Sequence, residues 1–594
     1  MASDHSSESE PAVGTSRIWL FVSFVFVAII VGFLLVLVLR YGLSIPRMDD
    51  WDLMPLIANA RKGALTFSDL FAQQQESRTF FPKLIFILSG LGHRWDGRVQ
   101  MVLSIFICCL TSLGIYGLLR KCALSAKAAG VAVVMMALLI FSPVQYELWL
   151  LASGSSSFMP ALFIVGGLFV LKTDLSVSRK FWLCACLAFL SSFAFANGLL
   201  AWPLTFPLLF RARPMLQWKP WLVAWLAACA FCCAIYFLGY QPPRELPAFA
   251  PPKPLLTYLL YILAFLGSGL GRAGNENPLV TSVAAGAFLL LGYLAALGWG
   301  IYRWRDREFW SRMVPWFSLG AYGIGSGVLA ALGRIELGVL QALASRYVAF
   351  SLYLVVAMIA FVTIFAAERL AAPRASGAKL ALFTAAVFLA ASYLTLEILC
   401  AAAAVSTIHL DSASARVGQG AVLFSQVIDS SDAIRRTNHP APNVVRQNAN
   451  ALDRLHLLRP SLVRSTVISK LRHADADKIN VDGWLDSFAE SRQPGMVAAR
   501  GWAALAGQGR SADSVILAYE REDHEWIVFA ISSSIEMRPD VARLHQHPDW
   551  LWSGWRVVFR ADAVPKGANI SAWALDAKQA KVYRLGASAD KFDR

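Results

Sequence analysis

The sequence predicts a mainly α-helical, polytopic membrane protein with an extracytoplasmic α+β domain at its C-terminal end. Of its 594 residues, 57% are hydrophobic and only 16% are charged. The mean hydropathy of +0.52 is far above that of a soluble enzyme. Apolar runs of membrane length recur as far as about residue 402 and then stop. The net charge of +15 does not indicate a nucleic-acid partner, because the cations fall in short clusters between apolar runs, as topology signals do.

The membrane domain is predicted to cover residues 17–406, preceded by a disordered cytoplasmic tail at residues 1–16. The first apolar run, residues 18–39, is too long for the core of a signal peptide and lacks a convincing cleavage site, so we expect a retained first helix. Hydropathy and charge alternation together predict about eleven transmembrane helices. They lie near residues 18–40, 101–119, 129–142, 158–171, 181–196, 198–210, 220–239, 279–301, 314–332, 347–367 and 380–402.

Clusters of Lys and Arg alternate with neutral loops along this domain. The alternate short connections, residues 142–157 and 194–200, contain neither Lys nor Arg. By the positive-inside rule, the N-terminus is cytoplasmic, and the first loop (residues 41–100) and the C-terminal domain lie outside. Two shorter apolar segments, residues 80–91 and 254–270, are predicted to be interfacial or re-entrant helices on the outer face. The basic clusters begin at Arg120, Lys172, Arg211, Arg303 and Arg369.

The last part of the chain differs from the membrane domain in composition. Residues 407–480 are predicted to form a helical outer linker. Residues 481–594 are predicted to form a periplasmic β-sandwich-like domain, because short apolar runs alternate there with turn residues. All nine cysteines precede this domain, so we expect no disulfide framework and a core built by aromatic packing. Its tryptophans could instead stack on sugar rings.

An acidic pair, Asp49 and Asp50, lies in the segment MDDWDL just beyond the first apolar run. Ionisable groups so close to hydrocarbon are costly unless they face water, a partner or a substrate, so the pair is the first candidate for a catalytic site. Neighbouring side chains of an extended segment point in different directions, and one carboxylate would act as base while the other orients groups or binds the acceptor. The structural alternative is that Asp49 caps a helix starting at Trp51.

The order of these elements can be compared with known architectures. One helix leads to a long outer loop with an acidic pair, followed by a helix pair, many further spans with short loops, and a terminal outer domain. This order resembles the GT-C glycosyltransferases, integral-membrane enzymes that use polyprenyl-phosphate-linked sugars. The resemblance covers the membrane half of the chain. It implies an inverting hexosyl- or pentosyltransferase of a bacterial plasma membrane, with Asp49 or Asp50 as general base and a glycan or glycolipid acceptor. A divalent metal ion at the acidic pair stays open, since some of these enzymes use one.

Four basic residues are candidates for binding the donor phosphate. In segment 76–84, Lys83 with Arg78 resembles the GT-C segment in which a basic residue next to a proline approaches the lipid phosphate. Snorkelling of Lys83 to lipid headgroups is the alternative. Arg334 and Arg346 bracket one outer loop, where bidentate contacts to phosphate are strong. Interface anchoring, or a salt bridge from Arg334 to Glu336, is the alternative for them.

Polar residues on the same face are candidates for substrate binding. They are Tyr347, Glu147, Asn197 and Trp51, with helix capping as the alternative for Asn197. Two other classes of function stay open: a transporter or flippase for lipid-linked saccharides, and a non-enzymatic glycan-binding scaffold. Internal repeats or charges buried in mid-span would favour transport, and neither is clear in the sequence.

Overall fold

The computed structural model describes residues 10–92, 94–209, 215–241, 253–272, 276–371, 376–473, 480–491, 494–505 and 507–587. These residues divide into two compact units. The first unit holds the described parts of Met1–Arg40, Phe67–Leu84 and Gln100–Ser406. The second unit holds the described parts of Tyr41–Thr66, Ile85–Val99 and Thr407–Arg594, so it combines much of the loop after the first helix with the C-terminal part of the chain.

Helices dominate the chain before residue 424. In chain order they are α1 (Glu10–Tyr41), α2 (Asp50–Arg61), α3 (Phe67–Phe71), α4 (Phe80–Gly90), α5 (Gly97–Arg120), α6 (Ala126–Ile140), α7 (Tyr146–Trp149), α8 (Ser155–Leu171), α9 (Val177–Ser192), α10 (Ala201–Leu209), α11 (Met215–Phe237), α12 (Leu255–Gly267), α13 (Pro278–Tyr302), α14 (Arg307–Arg334), α15 (Val348–Ala371) and α16 (Ser376–Leu423). Three shorter helices follow: α17 (Ser431–Thr437), α18 (Pro442–Arg454) and α19 (Pro539–Leu544).

Nine helical segments within the described residues are long and apolar enough to cross a membrane. Their presence confirms the prediction of a multi-spanning helical membrane protein. The predicted spans near residues 181–196 and 198–210 instead form α9 and α10, of 16 and 9 residues, so the number of eleven is not confirmed. The nine segments are Arg17–Tyr41, Gly97–Arg120, Ala126–Trp149, Ala152–Leu171, Pro220–Phe237, Pro278–Tyr302, Arg307–Leu337, Ser345–Ala371 and Gly377–Leu423.

A tight turn separates α9 from α10. At Gly198, an added Cβ atom would lie 1.8 Å from the carbonyl oxygen of Ser191, so the close approach of the two backbones requires glycine. The hydroxyl of Ser192 accepts a hydrogen bond from the indole N–H of Trp202 at 3.1 Å, which fixes the start of α10 against the end of α9. This turn lies within the short connection that the sequence predicts at residues 194–200.

Two shorter apolar helices coincide with the predicted short segments. Helix α4 has 11 residues and α12 has 13, so both are shorter than the roughly 20 residues that cross a bilayer. By contrast, α16 has 48 residues and passes residue 406 without a break. Its part before Thr407 belongs to the first unit and the remainder to the second. The change of composition at residue 407 therefore does not end a helix. It coincides with the residue at which α16 passes from the first unit to the second.

The second unit ends in a ten-stranded sheet, counted over the described residues. The strand order is β6-β5-β9-β10-β2-β3-β8-β7, with β1 paired to β10 and β4 paired to β3. Strand β10 pairs in parallel with β1 and β2, and the other pairs are antiparallel. The strands are β1 (Arg472–His473), β2 (Asn480–Glu490), β3 (Met496–Leu505), β4 (Arg510–Ser511), β5 (Ser514–Glu520), β6 (Trp526–Ile531), β7 (Ser534–Glu536), β8 (Gly554–Arg560), β9 (Ile570–Asp576) and β10 (Lys581–Ala587).

The sheet curls so that its two halves enclose one core. Val515 and Leu517 of β5 belong to the same buried cluster as Val557 and Phe559 of β8, which lies in the other half. Phe529 of β6 packs edge-on against Phe559, with 5.1 Å between ring centroids. The predicted β-sandwich is not confirmed, because the parallel pairing of β10 with β2 joins the halves into one continuous curled sheet.

Tryptophans of this sheet mainly fill the core. Trp555 and Trp573 are buried. Trp550 is also buried and packs against Trp502. Trp484, in contrast, is 43% exposed. Of the two roles considered for these residues, packing accounts for most of them.

Candidate functional site

The acidic pair lies at the start of α2, in the second unit. The helix begins at Asp50, one residue earlier than the capping alternative requires. Asp49 occupies the N-cap position with helical backbone angles, and its side chain makes no capping hydrogen bond. The structure therefore does not contain the side-chain cap by Asp49 that was the alternative to a catalytic role.

The two carboxylates have different surroundings. Asp50 is only 1% exposed, and its Oδ2 accepts a hydrogen bond from the backbone N–H of Arg47 at 3.2 Å. The N–H of Asp50 donates to the carbonyl of Arg47 at 2.9 Å, so Asp50 closes the turn that leads into the helix. Asp49 is half-buried and Asp52 is exposed. Asp49 is thus the more accessible member of the pair.

Trp51 anchors α2 within the second unit. Its side chain is fully buried, and its indole N–H donates to Asn438 Oδ1 at 2.5 Å. The side-chain amide of Asn448 donates to the carbonyl of Trp51 at 2.8 Å. The sequence-based role of Trp51 in substrate binding is corrected accordingly: the ring is enclosed by protein and positions the helix that carries the acidic pair.

A histidine from the C-terminal part of the chain joins these acids. His439 Nε2 lies 3.6 Å from Asp52 Oδ1, and its Nδ1 accepts the N–H of Ala441 at 3.1 Å. Burial acts to lower the pKa of His439, but Asp52, the Ala441 carbonyl and Asp49 outweigh it and raise that pKa above its ordinary value. We call Asp49, Asp50, Asp52 and His439 the acid cluster. The sequence gives no signal for His439, because this histidine is far from the acids along the chain.

A bidentate ion pair holds the loop that precedes the acid cluster. Arg47 donates from Nη1 and Nη2 to the two carboxylate oxygens of Asp411, at 3.0 and 3.2 Å. Such fork-to-fork pairs hold geometry as well as charge. Asp411 lies on α16, so the loop between α1 and α2 is tied to that helix within the second unit. Sequence reasoning missed this pair.

Arg334, in the first unit, is held by two side chains of the loop before α4. Its Nε lies 2.5 Å from Glu76 Oε1 and its Nη2 lies 2.7 Å from Glu76 Oε2. Nη2 also donates to Gln75 Oε1 at 3.0 Å. The alternative of a salt bridge from Arg334 to Glu336 is not what the structure contains, because Glu336 pairs with Lys253 at 3.3 Å.

Arg346 lies in a similar setting. Its Nη1 is 2.9 Å from Glu147 Oε2, and Glu147 Oε1 accepts the N–H of Ser345 at 3.2 Å. The guanidinium group lies 5.3 Å from the ring centroid of Tyr347. The structure therefore brings together three residues that the sequence singled out separately: Arg346, Glu147 and Tyr347.

A buried tyrosine lies in the neighbourhood of the two arginines. Tyr261 of α12 faces Tyr347 and lies within the electrostatic reach of both Arg334 and Arg346. Arg346 keeps 43% of its side chain exposed, whereas Arg334 keeps 17%. We call Arg334 with Glu76 and Arg346 with Glu147 the arginine pairs. They are partly exposed, charged groups at the ends of membrane-length helices.

Lys83 has a different role from the two expected of it. It is only 4% exposed, and its Nζ donates to the carbonyls of Ala72, Asp69 and Leu70 at 2.6, 3.3 and 3.4 Å. Burial, with a smaller contribution from Arg78, lowers the pKa of Lys83 to about 8, and Asp69 opposes this shift. Lys83 thus closes the C-terminal end of α3, and its burial among backbone carbonyls disfavours both the donor-phosphate contact and the snorkelling expected of it.

Arg78 is engaged in the same way. Its Nε donates to the carbonyl of Tyr236 at 2.5 Å, its Nη1 donates to the carbonyl of Phe71 at 2.8 Å, and its Nη2 donates to the carbonyl of Leu238. The guanidinium group also lies 4.4 Å from the ring centroid of Phe71. The expected phosphate contact of Arg78 is disfavoured, because the side chain is buried and each of its three guanidinium nitrogens already donates to a backbone carbonyl.

Asn197 is a core residue. Its Nδ2 donates to Tyr322 Oη at 3.0 Å and to Ser326 Oγ at 3.1 Å. The side chain is buried, and the N-cap of its short 3₁₀ turn is Phe195. Both sequence-based roles of Asn197, acceptor binding and capping, are therefore corrected: its amide fastens the turn before α10 to α14.

The donor set does not fit a resident metal ion. Within the described residues, no group of three or more His, Cys, Asp or Glu side chains is arranged to hold one. In the acid cluster, Asp50 is turned into its own loop, which leaves Asp49, Asp52 and His439 without a common centre.

Comparisons of the chain with family models, with curated proteins and with solved structures gave no match.

Proposed function

We propose that the chain is a GT-C-like, inverting glycosyltransferase of a bacterial plasma membrane. It would move a hexose or pentose from a polyprenyl-phosphate donor to a glycan or glycolipid acceptor on the outer face. The observation that carries this proposal is the acid cluster, in which an accessible carboxylate, Asp49, lies at a helix start within the electrostatic reach of His439. Such a group suits general-base catalysis.

The reaction assigns one chemical task to Asp49. Its carboxylate takes the proton of the acceptor hydroxyl while that oxygen forms a bond to the anomeric carbon. The bond from this carbon to the phosphate oxygen breaks on the opposite face, its electron pair leaves with the polyprenyl phosphate, and the configuration inverts. Asp49 then releases its proton to water. In this proposal Asp50 keeps the loop closed, and His439 with Asp52 positions Asp49 electrostatically.

Within the first unit, the arginine pairs offer cations to which the phosphate of a polyprenyl-linked donor would bind. Arg346 pairs with Glu147 through Nη1 and keeps 43% of its side chain exposed, so a phosphate can approach it from solvent. Preorganised cations lower the barrier where negative charge develops. Tyr347, beside Arg346, is the candidate for contact with the sugar.

The proposed orientation in the membrane rests on the positions of the basic clusters and on the number of membrane-length helices. The nine membrane-length helices of the described residues and the eleven predicted spans are both odd numbers, so under either count the two ends of the membrane domain would fall on opposite sides. The basic clusters place the N-terminus in the cytoplasm, and the C-terminal domain then lies in the periplasm or outside the cell.

A comparison of two isosteric variants tests the enzyme. Purified protein in nanodiscs would be given synthetic polyprenyl-phosphate hexoses and pentoses with membrane glycan, and release of polyprenyl phosphate would be measured. Asp49→Asn should lower turnover per folded molecule by about 10²-fold or more, the scale of a lost proton-transfer group.

Asp50→Asn serves as the matched control, because it makes the same chemical change in the neighbouring residue. Its carboxylate is buried in the turn, so the variant should lower the amount of folded protein more than turnover per folded molecule. Wild-type turnover in both variants would refute Asp49 as base and the enzyme with it.

A transporter or flippase for lipid-linked saccharides is the second candidate, and one observation favours it. Glu397 of α16 is only 3% exposed within a membrane-length segment. It lines a cavity of about 10 Å³ together with Ser142 and Ser351, and its Oε2 has no hydrogen-bond partner among the described residues. Buried acids in such segments commonly mark ion or substrate paths.

Glu397→Gln separates the two candidates. A flippase that uses this acid should lose translocation of a fluorescent polyprenyl-phosphate sugar across liposomes, while a transferase should keep its rate of polyprenyl phosphate release. Loss of translocation together with wild-type turnover of Asp49→Asn would make transport the better assignment.

A further inference from the structure

We propose that a basic cleft in the second unit binds an anionic saccharide, one that carries carboxylate or phosphate groups. One wall of the cleft is the segment 456–471, which leads from α18 to β1, and the other is the turn 578–580 between β9 and β10. This inference rests on the described residues of the second unit alone. It does not depend on the reaction proposed above.

The size of the cleft suits a short saccharide. Its volume is about 650 Å³, within the range of roughly 300–1,000 Å³ that holds small-molecule ligands. Two non-glycine residues with left-handed backbone angles, His456 (φ 57°) and Ala580 (φ 50°), lie one on each wall. Such conformations are costly and recur at binding sites.

The charge of the lining has one sign. Arg459, Lys470 and Lys578 are exposed cations of the lining, and none of them makes an ion pair with another described residue. Arg464 also lines the cleft, but Asp453 neutralises it at 2.5 Å. Among the described lining residues none is acidic, so the cleft favours an anion.

The remaining lining residues match a sugar rather than a bare ion. The hydroxyls of Ser461 and Ser465 and the amide of Gln579 can pair with sugar hydroxyls. No aromatic ring occurs in the described lining, so stacking on a neutral sugar is not how this cleft would bind. Charge must therefore supply the selectivity.

Calorimetric titration of the full chain in phosphatidylcholine nanodiscs tests the proposal. The probes are trigalacturonate, neutral maltotriose and inorganic phosphate. We expect trigalacturonate to bind, maltotriose not to bind detectably, and phosphate to compete only at a concentration at least about tenfold higher, because it lacks the sugar contacts. Affinity should fall as salt rises, as it does for exposed charges.

Variants locate the binding. Lys470→Gln with Lys578→Gln should weaken trigalacturonate binding by about tenfold or more, since two charge-assisted contacts are lost. Each single variant should weaken it by a smaller factor, which guards against a folding defect of the double variant. Lys62→Gln with Lys566→Gln, two exposed lysines outside the lining, is the matched control and should bind like wild type.

Several outcomes would overturn the inference. Equal binding of maltotriose and trigalacturonate would remove the role of charge, and equal competition by inorganic phosphate would indicate a simple anion site. Tight association with phosphatidylglycerol nanodiscs that the cleft variants abolish, without saccharide binding, would assign the cations to lipid headgroups. Polyprenyl phosphate release should stay at the wild-type rate in the cleft variants, so failure here and failure of the proposed enzyme are distinguishable.

Discussion

Lys83 and Arg78 belong to the same unit as Arg334 and Arg346, but their charged heads meet different acceptors. Backbone carbonyls surround the first two, and the side chains are almost fully buried. Carboxylates of Glu76 and Glu147 hold the other two, which stay partly exposed. A backbone carbonyl cannot move away from the cation when an anion approaches. A carboxylate on a flexible side chain can do so, and a phosphate can then replace it. The partner of a cation, more than its place in the sequence, decides whether it is available to a substrate.

Arg78→Met should have the largest effect, on stability. Three carbonyls would lose a charged donor, which costs about 3 kcal/mol or more. The measurement is the midpoint of thermal inactivation in detergent. Arg61→Met is the matched control, since Arg61 also donates to carbonyls but lies exposed and should cost much less. Equal midpoints for the two variants would contradict the structural role of Arg78.

Arg346→Ala should instead weaken the binding of the polyprenyl-phosphate donor. We expect donor affinity to fall about 10- to 100-fold, the scale of one charge-assisted contact, and stability to change little. Arg346→Lys should be intermediate, because it keeps the charge but loses the planar fork. Binding of a polyprenyl-phosphate sugar to purified protein measures this, with Arg305→Ala, an exposed arginine of a predicted cytoplasmic cluster, as control. Unchanged affinity in both Arg346 variants would eliminate the arginine pair as a phosphate site.

The smallest expected effect is the change with pH of the contribution that Lys83 makes to stability. The pKa of Lys83 is about 8 in the folded protein and about 10.5 in the unfolded chain. Between these values the unfolded chain binds more protons, so stability should rise with pH across this window. The difference in thermal midpoint between wild type and Lys83→Met should therefore shift in favour of wild type from pH 8 to pH 10. A pH-independent difference would mean that Lys83 is not buried as described.

Much of the architecture follows from local composition. Apolar runs predicted the membrane-length helices, and the shorter runs at α4 and α12 were also found as short helices. The number of spans was less predictable, because hydropathy predicts two spans around the connection at residues 194–200, whereas the helices there, α9 and α10, have only 16 and 9 residues. The single curled sheet depends on the parallel pairing of β10 with β2. The alternation of apolar and polar residues along one strand does not predict which strand it pairs with.

The candidate site was harder to predict than the fold. Residue type and position indicated Asp49 and Arg346, but not the partners that define their roles. Glu76, rather than the neighbouring Glu336, pairs with Arg334, and His439 joins the acids from the far end of the chain. Periodicity and spacing report what is near in sequence. Pairing across hundreds of residues is decided by packing, which leaves no local trace.

The anchoring of α2 has a consequence for the order in which the protein is made. Trp51 is held by Asn438 and Asn448, partners that lie 387 and 397 residues further along the chain. At the usual rate of synthesis, these partners leave the ribosome on the order of tens of seconds after the helix they hold. The acid cluster is therefore assembled late, after all nine membrane-length segments of the described chain have been synthesised. A truncated product that ends before residue 438 would contain these segments but would lack the assembled acid cluster.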